Sequence, residues 1–383
     1  MKSRKSGLRK APEVVGASRD AFDRLRLIRS ENVGPVTYRH LISKYGSAAR
    51  ALEAIPDLAA RGGGKSPKIA DATLIQKELR KIEQLGAGLL FLGDPAYPAL
   101  LTELGNPPPV LLWKGRLELL QRPMVAMVGA RNASAAACRF ARDLANSLVQ
   151  KGISVVSGLA KGVDTAAHQG ALEQATIAVI AGGLDVYYPP ENEAIQLRIA
   201  ERGLLLAEQP TGTQPRARHF PYRNRIIAGL ARGTVVVEAA PRSGSLITAR
   251  LAAEAGRQVM AVPGFPLDPR SRGCNMLIRE GANLIQSADD IIELVHHFDD
   301  RAEQHIEAKR DRAYFSVDEI SADQPEDIDP APVISLLSAT PVTVDEIVRQ
   351  SGIEQAAVQL ALLELELAGR LCRHAGARVS LAN

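Results

Sequence analysis

The residues best suited to chemistry in this chain are arginine, lysine, serine and glycine, and they recur at the ends of short apolar runs. From residue 124 onward the runs are MVAMV, SVVS, TIAVIA, LLLAE, TVVVEA, QVMAVPG and NLI. The segments that follow the first six are GARNAS (129–134), SGLAKGVDTAAH (157–168), AGGLDVYYPPEN (181–192), QPTGTQPRARHFPYRNRIIAG after Glu208, EAAPRSGSLITAR (238–250) and PGFPLDPRSRGCN (263–275). Small residues let backbone N–H groups approach an anion, a helix N-terminus adds its dipole, and Arg or Lys neutralises the charge. Arg131, Lys161, Arg223, Arg225 and Ser243-Gly244-Ser245 are therefore candidate phosphate ligands, in turns that also carry Gly129, Ser157 and Gly158. Any one of these glycines is explained by a strand-to-helix turn; the set together points to phosphate.

Residues 209–237 contain Arg216, Arg218, Arg223, Arg225 and Arg232 and no acid, with His219, Phe220, Tyr222 and Asn224 among them. Arginine interleaved with aromatics suits a single strand of nucleic acid, whose phosphates pair with guanidinium groups while bases stack on rings. The alternative is that Phe220 and Tyr222 pack beneath a loop whose arginines are only solvated.

Catalytic patterns are sparse. GxSxG and HExxH are absent, and Asp164 and His168, four apart on one helix face, are too few for a metal. GARNAS lacks two glycines of a dinucleotide fingerprint. RGGGKS (61–66) has Ala59 where a phosphate loop of the Walker type needs glycine, and reads as a flexible, basic loop. Glu208 and Glu238, at strand ends, are placed to contact a ribose or act as a base. A nucleotide-processing enzyme is therefore the alternative to a binding protein.

The elements that must position these turns follow from periodicity. Continuous apolar runs alternating with the helical stretches Ala133–Gln150, Asp164–Gln174, Asn192–Glu201 and Leu246–Ala255 predict a parallel sheet covered on both faces. Ligands of such sheets bind beyond the carboxyl ends of the strands, where all six segments should converge. Residues 1–17 read as a basic flexible tail and 18–92 as a helical domain of SAM or helix-hairpin-helix type, with a tight Val33-Gly34-Pro35 turn. Residues 93–298 read as a Rossmann-like doubly wound domain with a Pro-rich lead-in, 299–329 as an acidic linker, and 330–383 as three helices and a two-strand wing.

With 383 residues, 46% of them hydrophobic, the chain is long enough for two or three domains with large cores. The total charge of +4 conceals an asymmetry: residues 291–383 hold eight basic and 17 acidic groups, a net of −9, so everything before them is basic. Cys138, Cys274 and Cys372 form no CxxC, so neither a zinc site nor a disulfide framework is indicated. The absence of a long apolar run or an apolar leader implies a cytoplasmic protein without a membrane span.

VAMVGARNAS, VVSGLAKGVDTAAHQGAL, TIAVIAGGLDVYYPPEN, HFPYRNRIIAGL, VVEAAPRSGSLITARLAAEAGRQVMAVPG and GCNMLIREGA together resemble the DprA (Smf) DNA-processing family, over about 122–286. The resemblance implies a homodimer that binds single-stranded DNA without sequence preference and loads RecA recombinase during natural transformation, with no cofactor or metal. It places the family's site on Gly129-Ala130-Arg131, Ser157-Gly158, Lys161, Phe220-Pro221-Tyr222-Arg223-Asn224-Arg225 and Ser243-Gly244-Ser245. Ala130 stands where serine is common, Lys161 where arginine is common, and Ala135-Ala136-Ala137 where a Tyr-Gly is frequent. The third helix of the winged unit has Glu354, Glu364 and Glu366 and no basic residue. Such a helix should repel a phosphate backbone, so a structural or protein-binding role is expected for it.

Overall fold

The computed structural model describes residues 18–296, 298, 331–374 and 376–382; the expected basic tail and acidic linker lie outside them. The N-terminal helices are α1 (Arg19–Ile28), α2 (Pro35–Tyr45), α3 (Ala48–Arg61) and α4 (Ala72–Gln84). Local chemistry sets their ends. Ser18 caps α1 and Asp71 caps α4 by accepting N–H bonds, Pro35 opens α2, and Gly46 closes α2 at φ +73°.

The sheet domain begins earlier than the Pro-rich lead-in suggests. Gly88–Phe91 forms β1, a short helix α5 (Ala99–Thr102) follows, and Val110–Gly115 forms β2. These two strands pair antiparallel to each other, and β2 pairs antiparallel with β6 (Leu204–Ala207). The other strands are β3 (Met124–Val128), β4 (Ser154–Ser157), β5 (Thr176–Ile180), β7 (Gly233–Val236), β8 (Gln258–Ala261) and β9 (Asn283–Leu284). The nine strands run in the order β1-β2-β6-β5-β4-β3-β7-β8-β9, parallel from β6 to β9. The architecture is the expected α/β one, a mostly parallel central sheet flanked by an N-terminal helical domain and a C-terminal winged helix.

Helices α6 (Ala135–Gln150), α7 (Val163–Ala171), α8 (Glu193–Arg202), α10 (Gly244–Glu254), α11 (Arg272–Arg279) and α12 (288–296) connect or follow the strands. Helices α5, α11 and α12 have no counterpart among the predicted stretches, and neither has α9 (His219–Leu230), which occupies the stretch expected to be a loop and matters most for the site. Pro221 is the third residue of α9, within the first turn, where no N–H partner is needed. It therefore does not break the helix. Val125, Met127, Val155, Ile177, Leu206 and Val235 are wholly buried in the sheet core.

The C-terminal unit comprises α13 (Ala331–Ser335), β10 (Val342–Thr343), α14 (Val344–Ser351), α15 (Gln355–Leu367), β11 (Leu371–His374) and β12 (Arg378–Leu381). Its third helix, α15, is apolar on two sides. Val358, Leu362 and Leu365 face Val333, Ile347 and Val379, whereas Leu363 and Leu367 join Leu27, Tyr38, Leu41 and Ile55 of the N-terminal domain. Arg61 pairs with the buried Glu364 at 2.7 Å, Arg370 donates to Gly62 O at 3.0 Å, and Asn32 Nδ2 donates to Leu367 O at 3.2 Å. The helix that would read DNA in a winged-helix protein is thus covered by the other end of the chain. The Val33-Gly34-Pro35 turn is drawn into the same contact through Asn32.

Candidate nucleic-acid interface

The loops after β3, β4 and β5 and the segment entering α9 enclose a pocket of about 440 Å³. Arg131, Gly158, Lys161, Tyr188, Glu191, Phe220 and Arg223 are among its lining residues. Arg131 is exposed, and its guanidinium lies over the Phe220 ring, 5.4 Å from the centroid. The Tyr188 and Phe220 rings approach to 5.7 Å at a tilt of 55°. The wall thus combines two exposed cations, Arg131 and Lys161, with a pair of aromatic faces.

Arg223 lines the same pocket in a different way. It is buried, and Nη1 donates to the carbonyls of Gly158 and Val179, the latter at 3.0 Å. Helix α9 carries it under the β4–β5 ends, and Gly158 makes that approach possible: a Cβ there would sit 2.0 Å from Arg223 Nη1. Asp164 completes the turn by accepting from the N–H groups of Gly158 at 3.1 Å and Ala160 at 3.3 Å. Burial pushes the Asp164 carboxyl up against the pull of Arg223, and burial pushes Arg223 down to about 10, still charged at neutral pH. His168, held neutral by burial at about 3, contacts Thr176 Oγ1 at 2.7 Å. Asp164 therefore shapes the turn, and His168 ties α7 to β5.

The remaining expected ligands lie elsewhere. Arg225, two residues along α9 from Arg223, is buried against Glu208, and Asn224 is buried beside it. Ser157 Oγ donates to Met127 O at 2.6 Å, tying β4 to β3. Gly129 packs so closely on Val163 that a Cβ would meet it at 2.5 Å. Ser243 caps α10, with its Oγ 2.7 Å from Ser245 Oγ, at the end of β7 and outside the pocket. The pocket itself is thus limited to the segments after β3, β4, β5 and β6, although the segment after β7 meets the one after β3 through Glu238 and Ser134. The segments after β7 and β8 lie across β3, on the other half of the sheet.

Both carboxylates that kept an enzyme in view have structural partners. Glu238 accepts from Ser134 N at 3.0 Å and Ser134 Oγ at 2.7 Å, and Glu208 holds Arg225. Among the described residues no group of three His, Cys, Asp or Glu could hold a metal, and no helix is long and apolar enough to cross a membrane. Tyr188 and Glu191 escaped the sequence reading because the AGGLDVYYPPEN turn has no basic residue. Its paired tyrosines were the available signal.

Residues 88–296 match the family described as DNA recombination-mediator protein A. The chain belongs to this family. Residues 18–80 match a DprA-like N-terminal HHH domain and 318–377 a DprA winged helix domain. The chain is 34% identical to Protein Smf of Synechocystis sp. over 91% of its own length and 95% of that protein's. It is 37% identical to the X-ray structure of DNA processing protein A from Streptococcus pneumoniae, with a TM-score of 0.60, covering 72% of this chain and 97% of that one. A second solved structure, DNA processing protein A from Helicobacter pylori, is described as having a unique single-stranded DNA binding mode. It is 30% identical with a TM-score of 0.50, covering 55% of this chain and 96% of that one. Membership in the DprA family gives the chain a role in DNA processing, and the family's description names a mediator and no enzymatic reaction.

Proposed function

We propose that the pocket binds single-stranded DNA without sequence preference. The observation that carries this reading is the placement of two exposed cations, Arg131 and Lys161, beside the rings of Phe220 and Tyr188. Phosphodiester oxygens pair with the cations, and a base stacks on the aromatic wall. Arg223, Asn224 and Arg225 act from beneath: they hold the β4 turn and α9 in place and do not take phosphates themselves. Gly129 and Ser157 have the same supporting role. Ser243-Gly244-Ser245, at the N-terminus of α10, takes a phosphate farther along the strand. The single-stranded DNA binding described for the Helicobacter pylori protein supports the choice of ligand.

The wider role is a cytoplasmic homodimer that passes its strand to RecA during natural transformation. The family description as a recombination mediator supports the handover. Phe265, Leu267 and Leu284, exposed around β8 and the edge strand β9, support self-association there. Affinity for a labelled oligonucleotide, single- or double-stranded, measured across salt, tests the central claim. Single strands should bind more tightly, with a log–log salt slope of about −0.7 per phosphate neutralised. Equal affinity for duplex would overturn it.

A further inference from the structure

Among the described residues, Glu191 is the single acidic side chain lining a pocket that otherwise presents Arg131, Lys161 and Arg223. Its Oε1 lies 2.5 Å from Lys161 Nζ, and both side chains are more than half exposed, at 61% and 52%. The pairing is built in by the backbone. The next residue, Asn192, is buried and donates through Nδ2 to Leu159 O at 2.8 Å and Thr165 Oγ1 at 2.9 Å. Those bonds fasten the Pro190–Asn192 turn to the loop that carries Lys161. Of the three cations, Arg223 is engaged by two carbonyls with Asp164 nearby, Arg131 has an aromatic face and no carboxylate partner among the described residues, and Lys161 forms a direct ion pair with an acid.

We propose that Glu191 is an exchange ligand: its carboxylate holds the phosphate position at Lys161 in the free protein, and an entering phosphodiester displaces it. The inference rests on the single-strand reading of the pocket. A carboxylate and a phosphate form similar charge-assisted bonds with an ammonium, so the exchange at Lys161 returns only part of the affinity that an unpaired ammonium would give. Binding is then driven mainly by Arg131 and by stacking on Phe220 and Tyr188, with a smaller share from Lys161. A simple anion, which offers no base to stack, is therefore excluded, while a nucleotide unit with phosphate and base together is admitted. Glu191 also keeps the flexible Lys161 side chain in place before the strand arrives.

The experiment compares wild type, E191Q, K161A and the double variant for binding of a fluorescent thymidine oligonucleotide, with inorganic phosphate as competitor. E191Q should bind the strand about fivefold more tightly, the scale of a broken exposed ion pair plus relieved repulsion, with an unchanged unfolding midpoint. Its salt dependence should steepen, inorganic phosphate should compete better than with wild type, and most of the gain should vanish in the K161A background. If K161A weakens binding while E191Q binds equally or less tightly than wild type, Glu191 is no exchange ligand. If K161A leaves affinity unchanged, the pocket reading falls and the exchange falls with it.

Discussion

Gly158-Leu159-Ala160-Lys161-Gly162 and Arg61-Gly62-Gly63-Gly64-Lys65 are alike as sequences: short, glycine-rich, basic, and close to a helix end. Their surroundings differ. In the first, glycine admits the buried Arg223 from below and leaves Lys161 facing an open pocket. In the second, glycine admits α15: a Cβ on Gly62 would lie 2.2 Å from Glu364 O, and one on Gly64 2.4 Å from Ala368 O. Gly62 has an ordinary helical φ of −67°, so only the approach of α15 requires glycine there. A glycine-rich basic turn thus announces close approach by something. Whether that something is a ligand or the protein itself depends on residues about 300 positions away.

The largest effect that tests this contrast is loss of the pocket's cations. Arg131→Ala with Lys161→Ala should lower single-strand affinity by about tenfold to a hundredfold, at about 1.5 kcal/mol for the charged hydrogen bond of Arg131 and less for Lys161, which must first release Glu191. Fluorescence anisotropy should show the loss for every sequence alike, with the unfolding midpoint unchanged. Gly62→Ala should do the opposite, leaving DNA affinity intact while weakening the contact between α3 and α15 by about 2 kcal/mol, the typical cost of overpacking. Limited proteolysis of the full chain would report it as faster release of the C-terminal unit. If Gly62→Ala reduces DNA affinity as much as the cation pair does, the two turns are not functionally distinct.

Phe220→Leu should cost about tenfold in affinity, the scale of one base–aromatic stack, and should leave the salt slope unchanged because no charge is lost. A smaller effect concerns pH at the contact between the two ends of the chain. Burial, reinforced by Arg373 and Arg39, pushes His40 down to about 4 from an ordinary 6.5. The unfolded chain therefore binds the proton first as pH falls, and stability declines between about 6.5 and about 4. With His40 partly exposed the loss is about 1 kcal/mol, and His40→Gln should flatten that part of the unfolding curve relative to wild type.

Much of the framework was legible because its signals are local. MVAMV, SVVS and TIAVIA coincide with strands β3 to β5 within a residue, and Ser134, Ser243 and Thr343 cap helices where capping chemistry predicts helix starts. The misses have specific causes. GLLF and VLLWKG were hidden among prolines that belong to the connecting turns. Pro221 and the run of arginines disguised α9, although proline in a first turn is harmless. Without α9, Arg223 and Arg225 looked like solvated ligands.

The sequence by itself determined the order of three units, the parallel strands, the helix caps and the turns on which a phosphate site could be built. These depend on the period of apolar residues and on side chains within a few positions of the backbone groups they satisfy. Only the tertiary structure decided which arginines meet solvent and which are spent on carbonyls and carboxylates. It also placed Tyr188 and Glu191, from a turn with no basic residue, in a basic pocket, and laid the glycine triplet under α15. Exposure is a property of whatever packs against a residue, and here the packing partners lie tens to hundreds of residues away, where no local pattern reaches.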